Sequence, residues 1–278
     1  MAALVSCLTN SYGRFGPVAA IENIHDAGLE FLELNIKNQG VPSFFKETPL
    51  LTNASTSSDL DRVKDLLKQH QVQLSSCNIT SGNPLDPEIV LIIKQKLDLA
   101  HQLGVSLVVG GAGEIEQESD RNTLYQHLRD IGDYAAAKGI TYCFETHPGI
   151  CVNAAGMLRT MTDLDHPHLR LNFDTGNINY YNRRTNVLES LHEVVTFVKH
   201  VHLKDSYCKY QDWHFSTLGE AGGIDFLQVR FILEDHQFEG PYSLEIEGVD
   251  GEPELTLEEQ HNRVKQSVQY LIECGFFD

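Results

Sequence analysis

The stretch DPEIVLIIKQKLDLAHQLGVSLVV, residues 86–109, decides the fold class. Asp86-Pro87 opens a helix, because aspartate caps free amides and proline suits a first turn that has no use for its N–H. Ile89, Ile92, Ile93, Leu97 and Ala100 then recur at helical spacing. Gly104 stops the helix. Val105–Val109 follows as a nearly continuous apolar run, the pattern of a strand buried on both faces. A helix that hands over directly to such a strand predicts parallel strands joined by helical crossovers.

The same unit recurs outward in both directions. Strands are predicted at 4–8, 31–36, 72–79, 105–109, 140–145, 169–174, 200–204 and 242–246. Pro17, Ile21 and Ile24 mark a first helix that ends at Gly28. Ser58 with Asp61 resembles a capping box for a helix carrying Leu60, Val63, Leu66 and Leu67. Leu124, Leu128, Ile131 and Ala135 mark another. Met157, Leu158, Met161 and Leu164 give a short helix, and Val187, Leu188, Leu191, Val194, Val195 and Val198 form a helical stripe. Asp225 caps the next helix, and Thr256 with Glu259 caps the last. Eight strand–helix units without a linker or low-complexity tract predict one α/β domain over 1–278, a (β/α)₈ TIM barrel. An open doubly wound sheet is the alternative. Gly110-Gly111-Ala112-Gly113 invites a nucleotide-loop reading, but it follows the wrong strand for a dinucleotide fingerprint and no GxxxxGK[ST] is present, so it reads as a tight turn.

Composition narrows the function. The chain has 278 residues, 41% hydrophobic and 22% charged, with 21 Lys plus Arg against 39 Asp plus Glu, a formal charge of −18. A field of that sign repels phosphate backbones and argues against nucleic-acid binding. The six cysteines form no CxxC pair and read as reduced thiols of a cytoplasmic protein. The amino-terminal residues lack the pattern of a signal peptide, and no apolar run approaches the ~18 residues of a membrane span.

In a barrel the chemistry sits at the carboxyl ends of the strands. Four consecutive predicted strands end in Glu145, Asp174, His202 and Glu245. One carboxylate at a strand end is most simply a rim charge. A ring of buried carboxylates repels itself unless a cation sits among them. Three oxygen donors and one imidazole suit one divalent Mn, Mg, Co or Zn ion. His200 and His202 share a face, as do Glu245 and Glu247. His202 and Glu245 lie nearer the expected centre, and either Glu245 or Glu247 is the fourth ligand.

The segments Phe-Glu-x-His at 144–147, Asn-Phe-Asp-Thr-Gly at 172–176, His-Leu-Lys-Asp at 202–205, Leu-Gly-Glu-Ala-Gly-Gly-Ile-Asp-Phe at 218–226, Ser-Leu-Glu-Ile-Glu at 243–247 and Ala-Gly-Leu-Glu-Phe-Leu-Glu-Leu at 27–34 resemble the xylose-isomerase-like TIM barrels. This superfamily holds sugar isomerases and epimerases, inosose dehydratases and apurinic endonucleases. The resemblance implies that Glu145, Asp174, His202 and Glu245 bind one metal, with manganese favoured. It also implies that Glu145 and Glu245 are catalytic, exchanging a proton α to a carbonyl through a metal-stabilised enediolate.

Two departures leave the reaction open. Asn177 stands where many members carry His, and only Asn153 and Lys204 or Lys209 stand near the Glu and Arg of the epimerases. An isomerase or epimerase of a small sugar or cyclitol is the first expectation, a dehydratase the second and an apurinic-type endonuclease the third. His147, Asn177, Lys204, Glu220 and Glu247 are candidate substrate contacts. For several of these the plainer alternative is a loop-orienting or solvated role. Asn10, Asn35 and Asn78 are weaker candidates for hydroxyl contacts. The loop from Ser206 to Gly223 is long for a βα connection, and its Trp213 and Phe215 either cover a sugar face or pack against a neighbouring subunit of a homo-oligomer. No Arg or Lys cluster marks the strand-end loops, which points to an unphosphorylated substrate.

Overall fold

The computed structural model describes residues 3–277. Eight parallel strands, β1 (Val5–Leu8), β2 (Phe31–Lys37), β3 (Gln73–Asn78), β4 (Leu107–Gly110), β5 (Thr141–Glu145), β6 (Leu169–Asp174), β7 (Val198–Leu203) and β8 (Tyr242–Leu244), follow one another around a closed barrel. Closure is made by β1, which pairs with both neighbours: Ser6 is in register with Ser243 of β8 and with Phe31 of β2. Eight helices surround it: α1 (Gly16–Asn23), α2 (Ser57–His70), α3 (Pro87–Gln102), α4 (Arg121–Ala136), α5 (Ala154–Leu164), α6 (Val187–Val194), α7 (Phe226–Asp235) and α8 (Leu257–Glu273).

Local chemistry explains most of the boundaries. Asp86 accepts from the Glu88 amide at 2.8 Å and Asp225 from the Gln228 amide at 3.0 Å, so both cap their helices as their sequence positions predict. Thr256 and Glu259 cap each other's amides at the start of α8. The α2 box sits two residues earlier than expected: Thr56 and Asp59 form it, while Ser58 and Asp61 lie inside the helix. Val198 is also reassigned. A 3-10 turn at Val195–Phe197 ends the helical ladder, and Val198 starts β7.

Three small elements decorate the carboxyl end of the barrel. Leu51–Thr52 pairs with the end of β2, and His214–Phe215 pairs antiparallel with Gly248–Val249. A single helical turn, Asn177–Tyr180, follows β6. The second pairing ties the long loop after β7 to the end of β8. The glycine run after β4 has a packing role. A Cβ on Gly110 would collide with the Tyr142 ring, and the Tyr142 hydroxyl donates to the Gly111 carbonyl at 3.1 Å. The cysteines are unpaired, five of them buried and Cys208 partly so. Among the described residues no helix is long and apolar enough to cross a membrane.

Candidate metal centre and substrate cavity

Glu145 and Asp174 are the last residues of β5 and β6, His202 is the penultimate residue of β7, and Glu245 directly follows β8. Their potential ligand atoms lie within 4.8 Å of one another. The hub is Nδ1 of His202. It stands 3.4 Å from Glu145 Oε1, 3.8 Å from Asp174 Oδ2 and 3.2 Å from Glu245 Oε2. All four residues are buried.

The donors are prepared individually. Asp174 Oδ1 accepts from the amides of Gly176 and Asn177, at 2.9 and 2.8 Å. That leaves Oδ2 buried and without a hydrogen-bond partner, and Glu245 Oε2 is in the same state. Such oxygens are costly to bury unless a cation meets them. The other side of His202 is held by a residue that the strand-end reading missed. Glu33 of β2, fully buried, places Oε2 3.0 Å from His202 Nε2. That contact fixes the imidazole so that Nε2 faces Glu33 and Nδ1 faces the three carboxylates, the orientation a metal-binding histidine takes from an outer carboxylate.

Asn172 bridges the two histidines, with Nδ2 3.0 Å from His202 Nδ1 and Oδ1 2.9 Å from His200 Nδ1. His200, deeper in the barrel as its position suggests, is completed by Ser76 Oγ at 3.1 Å. Burial pushes the His200 imidazole down to about 4, so it stays neutral.

The electrostatics of the ring are uneven. Burial, reinforced by the nearby Glu247 charge, pushes the Glu245 carboxyl up to about 7. Burial also opposes the charge on Asp174, but Lys204 and His202 overcome it and hold the group at about 2. The Lys204 ammonium is 3.3 Å from Asp174 Oδ2, 3.1 Å from Glu245 Oε2 and 2.9 Å from Glu247 Oε2. Three oxygen donors and an imidazole gathered this closely fit a divalent cation, which would share Asp174 Oδ2 and Glu245 Oε2 with the Lys204 ammonium.

Above the ring opens a cavity of about 420 Å³, a size suited to one small ligand. Its walls differ. The first half of the barrel contributes Asn10, Asn35, Lys37, Asn78 and Thr80, which offer amides, a hydroxyl and one ammonium. The second half contributes Glu145, His147, Asn177, Lys204, Glu245 and Glu247. Phe44, Phe45 and Trp213 stand on the cavity wall, with Phe44 and Trp213 ring centroids 5.4 Å apart. Phe215, the other aromatic of the long loop, is buried beneath Trp213 at 5.1 Å.

Most expected contacts are brought together. His147 reaches Tyr181, whose hydroxyl is 3.3 Å from Nε2, and Asn177 Oδ1 accepts from Lys204 Nζ at 3.3 Å. Glu220 is not among the cavity-lining residues: it is exposed and accepts from Ser216 Oγ at 2.8 Å. Asn153 caps α5 through the Gly156 amide, and Lys209 lies on the surface. Asp205 does not pair with Lys204; it accepts from the Ser206, Gly219 and Gly222 amides and shapes the loop. Glu33 was detectable in principle: a lone carboxylate between Leu32 and Leu34, on the same strand face as Asn35, has to find a partner inside the barrel.

Residues 21–274 match the family described as Xylose isomerase-like TIM barrel. Among curated proteins the chain is similar to an inosose dehydratase of Clostridium perfringens, 26% identical over 180 residues that span 59% of this chain and 59% of that protein. The chain therefore spans less than two thirds of that relative's length. Among solved structures it is similar to a xylose isomerase-like TIM barrel protein from Mycobacterium smegmatis in complex with magnesium (TM-score 0.72, 16% identity, 98% of this chain and 97% of that one). It is also similar to the D-allulose 3-epimerase of a Methylomonas species in complex with D-allulose (TM-score 0.73, 18% identity, 98% and 97%).

Proposed function

The chain belongs to the xylose isomerase-like TIM barrel family, and from that premise we propose that it is a divalent-metal-dependent isomerase or epimerase of a small sugar or cyclitol, acting by proton transfer α to a carbonyl. The observation that carries the reading is the convergence of Glu145, Asp174 and Glu245 on Nδ1 of His202, a buried cluster of three carboxylates and one imidazole. These four residues would hold the metal, manganese being the favoured ion. A cation there would supply Lewis acidity, polarising the substrate carbonyl so that the neighbouring C–H becomes acidic.

The chain's own groups do the rest. Glu145 and Glu245, from strands on different sides of the ring, are the proposed pair that takes and returns the proton through carboxylate oxygens. Lys204, fixed between Glu245, Glu247 and Asn177, holds a substrate oxygen by hydrogen bonding. Asn10, Asn35 and Asn78 orient hydroxyls from the opposite wall, while Phe44 and Trp213 keep bulk water from the mouth.

A dehydratase on the same site is the second reading. The similarity to inosose dehydratases favours it, as does the ammonium of Lys204 beside Glu245, placed to assist departure of a hydroxyl. The net charge of −18 and the compact four-ligand site weigh against nuclease chemistry. Incubating the metal-loaded protein in D₂O with a panel of keto-sugars and inososes, followed by NMR, decides among these. Deuterium at the α carbon without loss of water supports the isomerase; loss of a β-hydroxyl supports the dehydratase. No exchange with any ketone overturns both.

A further inference from the structure

We propose that Glu47 is a specificity-determining positioning residue: by neutralising Lys37 it tunes the cavity for uncharged polyols and against phosphorylated or carboxylated sugars. The inference rests on the sugar-pocket reading above.

Lys37, the last residue of β2, exposes 23% of its side chain toward the cavity. Its Nζ lies 3.2 Å from Asn10 Oδ1 and 3.0 Å from Glu47 Oε1. The Glu47 side chain is 3% exposed, and neither of its oxygens has a hydrogen-bond partner of good geometry. Lys37 is its ion-pair partner. A buried carboxylate of this kind is costly and is retained only against a countercharge. The fold makes room for it: at Gly16, where φ is +68°, a Cβ would stand 3.0 Å from the Glu47 Cβ.

The other ammonium of the cavity, Lys204, is tied in the same way to Glu247. Among the described residues that line this cavity, Lys37 and Lys204 are the only Lys or Arg. Each therefore presents hydrogen-bond donors without an unbalanced positive charge. Even with the proposed metal in the ring, a phosphate or carboxylate lying against the first-half wall would find Lys37 already neutralised by Glu47 and no free cation there, whereas a neutral hydroxyl meets donors and acceptors alike. Like-charge juxtaposition of this kind is how sites reject a wrong partner.

The test is an NMR titration of the metal-loaded full chain with D-fructose, D-fructose 6-phosphate and D-glucuronate, for the wild type, Glu47→Gln and the Glu47→Gln/Lys37→Gln double variant. The wild type is expected to bind fructose at least tenfold more tightly than either anion. Glu47→Gln is expected to tighten both anions by about tenfold while moving fructose by less than about threefold. The double variant restores the discrimination. A merely structural role would weaken all three ligands together, and that outcome overturns the proposal. So does a wild type that binds fructose 6-phosphate as tightly as fructose, a comparison that stands even if the variants do not fold. Binding of none of the three overturns the sugar-pocket reading itself, and this inference with it.

Discussion

Oε2 of Glu33 lies 3.0 Å from Nε2 of His202, joining the second strand of the barrel to the seventh across its interior. The pair orients the imidazole without itself facing the cavity. Glu33→Gln keeps the shape and removes the charge. It is expected to weaken Mn²⁺ binding by about tenfold, the lower end of what loss of an outer carboxylate causes. Competition with a chelating dye measures it; unchanged affinity would mean that Glu33 only fills space.

Wild-type protein is expected to carry about one divalent ion per chain. Asp174→Asn, Glu145→Gln and Glu245→Gln should each lower the metal content and reduce turnover by roughly 10³ or more, because each replaces an anionic donor by a neutral one. Elemental analysis beside the D₂O exchange assay checks this. If neither glutamate change moves metal content or turnover, the ligand assignment fails.

Lys204→Met should separate affinity from turnover. The ammonium shares Asp174 and Glu245 with any bound cation, so its removal is expected to tighten Mn²⁺ by about tenfold through lost charge repulsion. It also strips Glu247 and the substrate of their donor, and kcat should fall by about 10². Weaker metal binding in this variant would show instead that Lys204 supports the ligands.

Trp213→Ala opens the mouth while leaving the carboxylates in place. KM is expected to rise about tenfold with kcat within about twofold, the signature of binding that is equal in ground and transition states. A fall in kcat alone would assign the indole to the chemistry.

Lys96 gives a pH dependence outside the site. It is fully buried on α3, with Nζ donating to the Thr80 carbonyl at 3.0 Å and the Ile79 carbonyl at 3.3 Å. Burial, with the nearby Lys37 charge, lowers its pKa from 10.5 to about 7. Below about 7 folded and unfolded chains both hold the proton. Between about 7 and 10.5 the folded chain has released it while the unfolded chain keeps it, so stability rises with pH, by at most about 1.4 kcal/mol per unit. Urea denaturation at pH 7 and pH 9 should show the rise in wild type and its loss in Lys96→Met.

The candidate metal cluster was legible because each member lies at the end of an apolar strand, and Leu169–Asp174 needed no adjustment. Glu33 escaped because its partner is 169 residues away: the alternation around it marks a barrel-facing carboxylate but not what that carboxylate meets. Glu47 escaped for the same reason: its meaning depends on where a loop returns. Two overlapping capping frames, Thr56 to Asp59 and Ser58 to Asp61, fit the same apolar helix face, and the extended backbone at Thr56 selects the first. Glu220 takes the solvated alternative and lines no part of this cavity, because the path of the Gly-rich loop follows from Asp205, whose carboxylate gathers the Gly219 and Gly222 amides.

The cavity's two unlike walls come from the two halves of the chain. Strands β1 to β3 and the loops after them supply three amides, the Thr80 hydroxyl and Lys37; β5 to β8 and their loops supply all the carboxylates, with Lys204, His147, Asn177 and Tyr181. On the proposed function, the catalytic glutamates come from the second half alone, while the ligand is held from both halves, by Asn10, Asn35 and Asn78 on one side and Lys204 on the other. Mutations at Asn10, Asn35, Asn78 or Thr80 would, on that same proposal, redirect which polyol is accepted while the catalytic glutamates stay intact, and exchange of whole amino-terminal halves between such barrels becomes a practical route to new substrates.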